Sequence, residues 1–159
     1  LRILQEEHVV EHVRDVAHPY LAAKWQALTD HPMVGEAKLV GLMGSIALTP
    51  NKATRAKFAA DTGTVGYKTR ERCFANNLIM RHVGDRVIIA PPLVITPDEI
   101  DVLIERARKS LDEAYKIVKD EGLFVARYGG GKGLKGRAIG PAFCVFGAGC
   151  SSLSKSVMY

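Results

Sequence analysis

Residues 73–100 read CFANNLIMRHVGDRVIIAPPLVITPDEI, and this stretch decides the fold. It contains two runs of strand-forming residues, 78–82 and 86–90, joined across residues 83–85. Two short apolar runs joined by a glycine-containing connection predict a β-hairpin. The proline pair at 91–92 ends the second strand, because proline cannot donate a ladder hydrogen bond.

The segment after the hairpin predicts a long amphipathic helix. Thr96 is an N-cap residue, Pro97 suits the first helical position, and Glu99 completes a capping box. Apolar residues then recur every three or four positions as far as Val118, and Gly122 supplies the stop.

Four further elements are predicted upstream of the hairpin. They are a helix over residues 5–28 that Pro19 should kink or split in two, a strand over residues 34–48, a short helix over residues 52–59, and a helix over residues 67–75 ended by Asn76 and Asn77. Gly41 and Gly44 would allow the strand to bulge or bend. Two or three strands covered on one side by helices predict an α+β fold with a small antiparallel or mixed sheet.

The composition is that of a globular protein. The chain has 159 residues, of which 47% are hydrophobic and 25% are charged, so one domain is expected. We expect no membrane partner, because no apolar run approaches the length of a bilayer span and no signal peptide is present. Cys73 is the one cysteine before residue 125, which fits a reducing, cytoplasmic location.

The end of the chain differs from the rest in composition. Residues 125–159 hold five of the 22 basic residues, no acidic residue and 8 of the 15 glycines, so residues 1–124 carry 17 basic and 17 acidic side chains. This composition predicts a flexible appendage. The alternative is an added strand, with no indication of where it would pair, formed from the apolar residues Val125, Ala126, Phe143, Val145 and Phe146. We therefore divide the chain into a helical lead-in (1–29), an α+β domain (30–123) and a Gly-rich basic tail (124–159).

Two short motifs are similar to known sites but lack their context. His8, Glu11 and His12 spell H-x-x-E-H, yet a catalytic zinc site needs three protein ligands, so we favour a solvated helix and predict no metal. The stretch YGGGKGLKG (128–136) lacks the Ser or Thr and the following helix of a phosphate-binding loop. A non-catalytic domain that binds a partner or nucleic acid through this basic tail is the alternative function, although we do not expect nucleic acid.

Arg81 is the one candidate site residue. On the predicted strand it shares a face with Ile79 and Val83, whereas Met80 and His82 point to the other face. A guanidinium group on a rigid strand can bind a carboxylate through two parallel hydrogen bonds. An arginine lying in solvent at a sheet edge fits the same pattern, and the pattern alone favours it.

Three stretches carry a resemblance to a known family. They are DHPMVGEAKLVGLMGSIAL (30–48), CFANNLIMRHVGDRVIIAPPLVIT (73–96) and PDEIDVLIERARKSLDEA (97–114). Together they resemble the C-terminal small domain of class III aminotransferases, which are pyridoxal-phosphate enzymes of fold type I, and the similarity covers residues 1–123. The pattern N-x-L-I-M-R-x-x-G-D followed by P-P-L is similar to the branch that transaminates ω-amino acids, amines or polyamines with pyruvate.

The resemblance implies a role for Arg81. In the family the arginine of L-I-M-R binds the carboxylate of an amino or keto acid and swings away when an amine without a carboxylate is bound. It also implies that Met80 and the proline pair at 91–92 fix the strand that presents Arg81. The implied partners are an amine or ω-amino acid donor and a keto acid acceptor, in a homodimeric parent enzyme.

The resemblance also implies pyridoxal 5′-phosphate as the cofactor of the parent. The lysine, aspartate and phosphate loop that hold it in the family have no match in this sequence, so we expect no cofactor on this chain alone and no transamination by it in isolation. Because the chain opens on Leu1 without a methionine, we expect a fragment of a longer polypeptide. The tail after Phe124 has no counterpart in the family.

Overall fold

The structure is a computed structural model that describes residues 2–127. Its strands are β1 (Val34–Val40), β2 (Met43–Leu48), β3 (Arg81–Val83) and β4 (Arg86–Ile89). Its α-helices are α1 (Arg2–Glu6), α2 (Val9–His12), α3 (His18–Ala27), α4 (Thr64–Ala75) and α5 (Pro97–Asp120). The strands form one antiparallel sheet in the order β1-β2-β4-β3, which confirms the predicted α+β class.

The prediction of one strand over residues 34–48 is wrong, because the chain turns back at Gly41 and forms two strands. Val40 pairs with Met43 across a two-residue turn in which Gly41 has a φ of 56°. A glycine with positive φ at the first of two turn positions is the pattern that type II′ hairpins favour, and their twist matches that of the flanking strands. The sheet therefore has four strands rather than two or three.

The N-terminal helical segment changes geometry several times. His8 has a left-handed backbone with a φ of 51° and separates α1 from α2. Residues Val13–Ala17 form a π-helical turn, in which the N–H of His18 donates to the carbonyl of Val13. Pro19 has no N–H to donate to the carbonyl four residues earlier, which favours this wider turn just before it. A 3₁₀ turn, Leu28–Asp30, ends the segment.

The two elements with the strongest local signals are confirmed. At the start of α5, the N–H of Thr96 donates to Glu99 Oε2 (2.8 Å) and the N–H of Glu99 donates to Thr96 Oγ1 (3.4 Å), which is the predicted capping box. The predicted β3–β4 hairpin forms, but β3 begins only at Arg81, and Val83 lies in β3 rather than in the connection, which is residues 84–85. Helix α4 ends at Ala75 with Asn76 as its C-cap, and Asn77 beyond it has a left-handed φ of 56°, while Gly122 stops α5 with a φ of 68°.

The prediction of a short helix over residues 52–59 is wrong. This segment forms turns, and Phe58, which is only 1% exposed, pairs with Ala126 in an isolated antiparallel bridge. The phenyl rings of Phe58 and Phe124 pack with their centroids 6.2 Å apart. Burial of this aromatic side chain, rather than helix propensity, fixes the extended path of the segment.

Residues 125–127 pair with this segment. The N–H of Ala59 donates to the carbonyl of Val125 (2.8 Å), and the N–H of Arg127 donates to the carbonyl of Lys57 (2.7 Å). The prediction of a flexible appendage is therefore wrong for residues 125–127. The rest of that tail, including the glycine-rich stretch 128–136, lies outside the described residues.

The sheet has two different faces. One face packs against α3 and α4, with α5 packed on both helices, and its side chains are buried: Val34, Ala37, Ile46, Leu48, Met80, Val87 and Ile89. The other face is open within residues 2–127 and carries Glu36, Lys38, Met43, Ser45, Arg81, Val83, Arg86 and Ile88. This division follows from strand alternation, in which successive side chains point to opposite faces.

Trp25 shows how closely α3 approaches the sheet. A β-carbon at Gly44 would lie 2.8 Å from the indole ring, so only glycine leaves room for this side chain. The indole N–H donates to the carbonyl of Lys38 at 3.1 Å, which satisfies its polar atom in the core. Within residues 2–127, no helix is both long enough and apolar enough to span a membrane.

Candidate carboxylate-binding site

Arg81 lies on the open face of the sheet, at the start of the edge strand β3. It pairs with Ile88 of β4 and is exposed. Ile79 and Val83, on either side of it along the chain, are 81% and 56% exposed, whereas Met80 is 2% exposed. The predicted alternation of this strand is therefore confirmed, and it directs the guanidinium group away from the helices.

The charge of Arg81 is not neutralised within the described part of the chain. No ion pair joins it to an acidic side chain of residues 2–127. The open depression beside it is lined by Arg70, Phe74, Ile79, Met80 and His82 as well as by Arg81 itself, and none of these is acidic. The guanidinium group is thus available for a carboxylate from outside these residues.

Two hydrogen bonds join the turn of the β3–β4 hairpin to the start of α4. Asp85 Oδ1 accepts hydrogen bonds from the N–H groups of Gly63 (3.1 Å) and Gly66 (3.2 Å) at the start of that helix. A carboxylate there satisfies N–H groups that have no partner within the helix and lies at the positive end of the helix dipole. The hairpin that presents Arg81 is consequently held at its turn.

Side chains on the packed face hold β3 from the other side. The His82 ring meets the ring of Tyr67 on α4 edge to face, with centroids 5.8 Å apart. Met80 is buried in the core, as the resemblance implied for a side chain that fixes the strand. A strand anchored on one face leaves the exposed side chains of the other face free to bind.

A cluster of charged side chains around Glu36 lies on the same open face as Arg81. Glu36 on β1 approaches Lys38 Nζ (3.3 Å), Arg86 Nη2 (3.5 Å) and Arg55 Nη1 (3.7 Å). Arg86 Nη1 also donates to Ser45 Oγ at 3.3 Å. The hydrogen bond with Lys38, partly offset by burial, lowers the pKa of Glu36, and so the carboxylate is ionised at neutral pH.

The cluster around Glu36 was missed by sequence reasoning. The predicted hairpin, with residues 83–85 as its connection, would place Arg86 opposite His82 and so on the face away from Arg81, whereas in the structure Arg86 pairs with Val83. Glu36 could not have been placed beside Arg86 either, because its approach to Arg86 depends on the β1–β2 turn that the sequence did not reveal.

Two named relatives identify the group to which the chain is similar, although no family profile matches it. It is 54% identical over 113 residues to a putrescine–pyruvate aminotransferase of Pseudomonas aeruginosa, an alignment that covers 71% of this chain and 24% of that protein. It is 32% identical over 120 residues to the mitochondrial gamma aminobutyrate transaminase 1 of Solanum lycopersicum, covering 76% of this chain and 23% of that protein. The chain belongs to the aminotransferase family.

The similarity extends to three dimensions. The omega transaminase of Pseudomonas jessenii in complex with PMP matches with a TM-score of 0.69 and 32% sequence identity, over 75% of this chain and 26% of that one. This aminotransferase chain spans about a quarter of the length of the relatives it matches. The resemblance inferred from the three sequence stretches is confirmed.

The histidines of the H-x-x-E-H motif do not converge in this aminotransferase chain. His8 precedes the first turn of α2 with a left-handed backbone, and His12 Nε2 forms a hydrogen bond with the carbonyl oxygen of Ile95 (2.9 Å). No group of three or more side chains that could hold a metal ion occurs within residues 2–127. Neither histidine is part of a candidate site.

The described residues do not fit the aldehyde of pyridoxal phosphate. A lysine that forms an imine needs a lowered pKa, which burial away from opposite charges provides. No lysine or acidic side chain is buried within residues 2–127, and a hydrogen bond to Asp101 raises the pKa of Lys24. Lys68 is likewise paired, with Glu121 at 2.8 Å.

Proposed function

We propose that this chain is part of a class III, pyridoxal-phosphate-dependent aminotransferase. The whole enzyme would be a cytoplasmic homodimer that transfers an amino group from an amine or ω-amino acid to pyruvate or a similar keto acid. This segment would supply recognition of the substrate carboxylate through Arg81. Its α+β domain would extend from residue 30 to residue 127, since residues 125–127 pair with residues 57–59.

One observation carries the proposal: Arg81 projects from an anchored strand onto an open sheet face, and no acidic side chain of residues 2–127 pairs with it. A relative that aligns over 71% of this chain is named for putrescine, which has no carboxylate, and for pyruvate, which has one. A single arginine that binds a carboxylate when one is present suits such a pair of substrates.

The surroundings of Arg81 suit both substrates. A carboxylate would accept two parallel hydrogen bonds from the guanidinium group, each worth about 1.5–3 kcal/mol. When a donor without a carboxylate occupies the site, the long side chain of Arg81 can lie along Ile79 or Val83 and keep its charge in water. Both apolar neighbours are exposed and could contact the hydrocarbon part of a donor.

Pyridoxal phosphate would supply the carbonyl carbon and the electron sink that amino transfer needs. The residues that hold it would have to come from outside residues 2–127, because no buried lysine or acidic side chain is available there. The contribution of Arg81 is therefore to bind and orient the carboxylated substrate. Its strand is held by Asp85 at the turn and by Met80 and His82 in the packed face.

The test measures the two half-reactions separately in the full-length enzyme that carries this segment. We expect Arg81→Ala to lower kcat/KM for pyruvate by about 10- to 100-fold, the loss of one charged hydrogen-bonding partner. The half-reaction with putrescine should fall far less, because that donor has no carboxylate. Arg81→Lys should restore part of the pyruvate activity, since it keeps the charge but not the bidentate geometry.

Arg2→Ala is the matched control, because Arg2 is an exposed arginine on α1, a different element. It should change neither half-reaction. An equal loss of both half-reactions in Arg81→Ala would show that Arg81 supports the fold or the cofactor rather than the carboxylate.

A further inference from the structure

Arg86 lies on the same open face of the sheet as Arg81. It pairs with Val83, which is two residues from Arg81 along β3, and so both guanidinium groups project to the same side. Arg81 pairs with Ile88, which makes Arg81 and Arg86 diagonal neighbours at a typical spacing of about 7–8 Å. Two arginine side chains at that spacing can bind two carboxylates of one small molecule.

Arg86, unlike Arg81, is already engaged. Its Nη2 atom lies 3.5 Å from Glu36 Oε2, and its Nη1 atom donates to Ser45 Oγ at 3.3 Å. The Glu36 side chain is only 20% exposed, while that of Arg86 is 41% exposed. The carboxylate therefore lies deeper against the sheet than the guanidinium group it neutralises.

The position of Glu36 is fixed by the fold. It pairs with Ala47 of β2, which in turn pairs with Arg86 of β4, so the three residues form one row across the sheet. Lys38 and Arg55 approach the same carboxylate from the solvent side and hold it in place. Strand pairing alone places Glu36, Ala47 and Arg86 side by side, so this arrangement does not depend on a ligand.

We infer that Glu36 is a specificity-determining residue that makes the carboxylate site selective for 2-oxo monocarboxylates over 2-oxo dicarboxylates. By pairing with Arg86 it leaves Arg81 as the one guanidinium group on this face without an acidic partner among residues 2–127. The second carboxylate of a dicarboxylate could bind Arg86 only by displacing the Glu36 carboxylate, which Lys38 and Arg55 also hold in place. This inference rests on the proposed role of Arg81 and goes beyond it by naming the residue that excludes one class of acceptor.

The test compares two acceptors, pyruvate and 2-oxoglutarate, in the full-length holoenzyme. We expect Glu36→Gln, which keeps the shape but removes the charge, to raise the ratio of kcat/KM for 2-oxoglutarate to that for pyruvate by about tenfold. The gain should appear mainly in KM for 2-oxoglutarate. Glu36→Ala should give the same direction and serves as a second variant if the amide disturbs the cluster.

Two further variants separate specificity from a structural effect. Glu36→Gln combined with Arg86→Met should lose the gain, because the second guanidinium group is then absent. Asp15→Asn is the control, since it also releases an arginine, Arg14, from a carboxylate but on the N-terminal helical segment. That variant should leave the acceptor ratio unchanged.

An unchanged ratio in both Glu36 variants would overturn the inference, as would a gain that persists without Arg86. These outcomes differ from failure of the proposed function, which would appear in Arg81→Ala as an equal loss of pyruvate and putrescine half-reactions. If Arg81→Ala behaves as expected and the Glu36 variants do not, then Arg81 binds the carboxylate and another residue sets the acceptor class.

Discussion

Gly66 of α4 packs directly against Gly84 in the turn between β3 and β4. A β-carbon at Gly66 would overlap the carbonyl oxygen of Gly84, and it would lie 3.1 Å from the carbonyl carbon. The helix and the hairpin can therefore meet only if residue 66 has no side chain. This contact, together with the hydrogen bonds to Asp85, fixes the hairpin that carries Arg81.

We expect Gly66→Ala to destabilise the protein. The added methyl group meets backbone that cannot rotate away, and overpacking of this kind costs about 1–3 kcal/mol. The higher helix propensity of alanine offsets about 1 kcal/mol of that cost. Urea denaturation should show a net loss of about 2 kcal/mol in the free energy of unfolding, the upper end of the difference between these two figures, because the added methyl group overlaps backbone atoms of Gly84.

The control for this prediction is Glu105→Ala on the exposed side of α5. A surface substitution of this type should change the free energy of unfolding by no more than about 0.5 kcal/mol. If Gly66→Ala were as stable as this control, the close contact between α4 and the hairpin would not exist in solution.

The parts of the fold that the sequence predicted are those with local signals. The capping box at Thr96 and the hairpin turn at Gly84 each depend on residues within four positions of one another. The turn at Gly41 was missed, because Val40, Leu42 and Met43 continue the apolar pattern through it. An apolar run of this length fits one long strand and two short strands equally well, so the pattern does not distinguish them.

His31 makes the stability of the fold depend on pH. Its side chain is 5% exposed, Nδ1 accepts a hydrogen bond from the N–H of Met33 (3.2 Å), and Nε2 lies 3.4 Å from Asp112 Oδ1. Burial lowers the pKa of His31 below its usual 6.5, against the attraction of Asp112, and Lys52 and Arg108 lower it further. The neutral ring is the form that can accept from Met33.

We expect the free energy of unfolding to decrease as the pH falls below about 6.5. The unfolded chain binds a proton at His31 first, because its pKa is the higher of the two, so protonation favours unfolding in that range. The loss should end once the pH is below the pKa of the folded state. Above pH 7 this residue should contribute no pH dependence.

His31→Asn should flatten this dependence, since the asparagine oxygen can accept from Met33 but does not titrate. His8→Asn is the matched control: His8 is exposed, and asparagine tolerates its left-handed backbone. Denaturation curves between pH 5 and pH 8 would contradict the assignment if the His8 variant, rather than the His31 variant, lost the slope.

Cys73 should be unreactive while the protein is folded. It is 1% exposed, and burial raises the pKa of its thiol to about 11, although a hydrogen bond with Ser110 partly opposes this shift. The thiolate is the reactive form, so few molecules are reactive at pH 8. In a variant with Cys144 and Cys150 replaced by serine, thiol labelling should follow the unfolding transition in urea. Rapid labelling without denaturant would contradict the burial of Cys73.

The site was only partly predictable for a related physical reason. Strand alternation alone places Arg81 on the face opposite Met80, and the structure has it there. The partner of Arg86 is Glu36, fifty residues earlier in the chain, and they meet only because β2 lies between β1 and β4. Sequence pattern gives the face of a strand, but which strands are neighbours depends on the whole sheet.

The last prediction concerns where the domain ends. Residues 125–127 contribute two backbone hydrogen bonds to residues 57–59, and they lie beside Phe58, which is almost fully buried. A chain that ends after Phe124 should therefore be about 1–3 kcal/mol less stable than a chain that ends after Arg127, because both bonds are lost and Phe58 loses its cover. Urea denaturation of these two truncated chains measures what residues 125–127 contribute to the free energy of unfolding. Equal stability would place the end of the domain before Val125, at the boundary that the composition of the sequence first indicated.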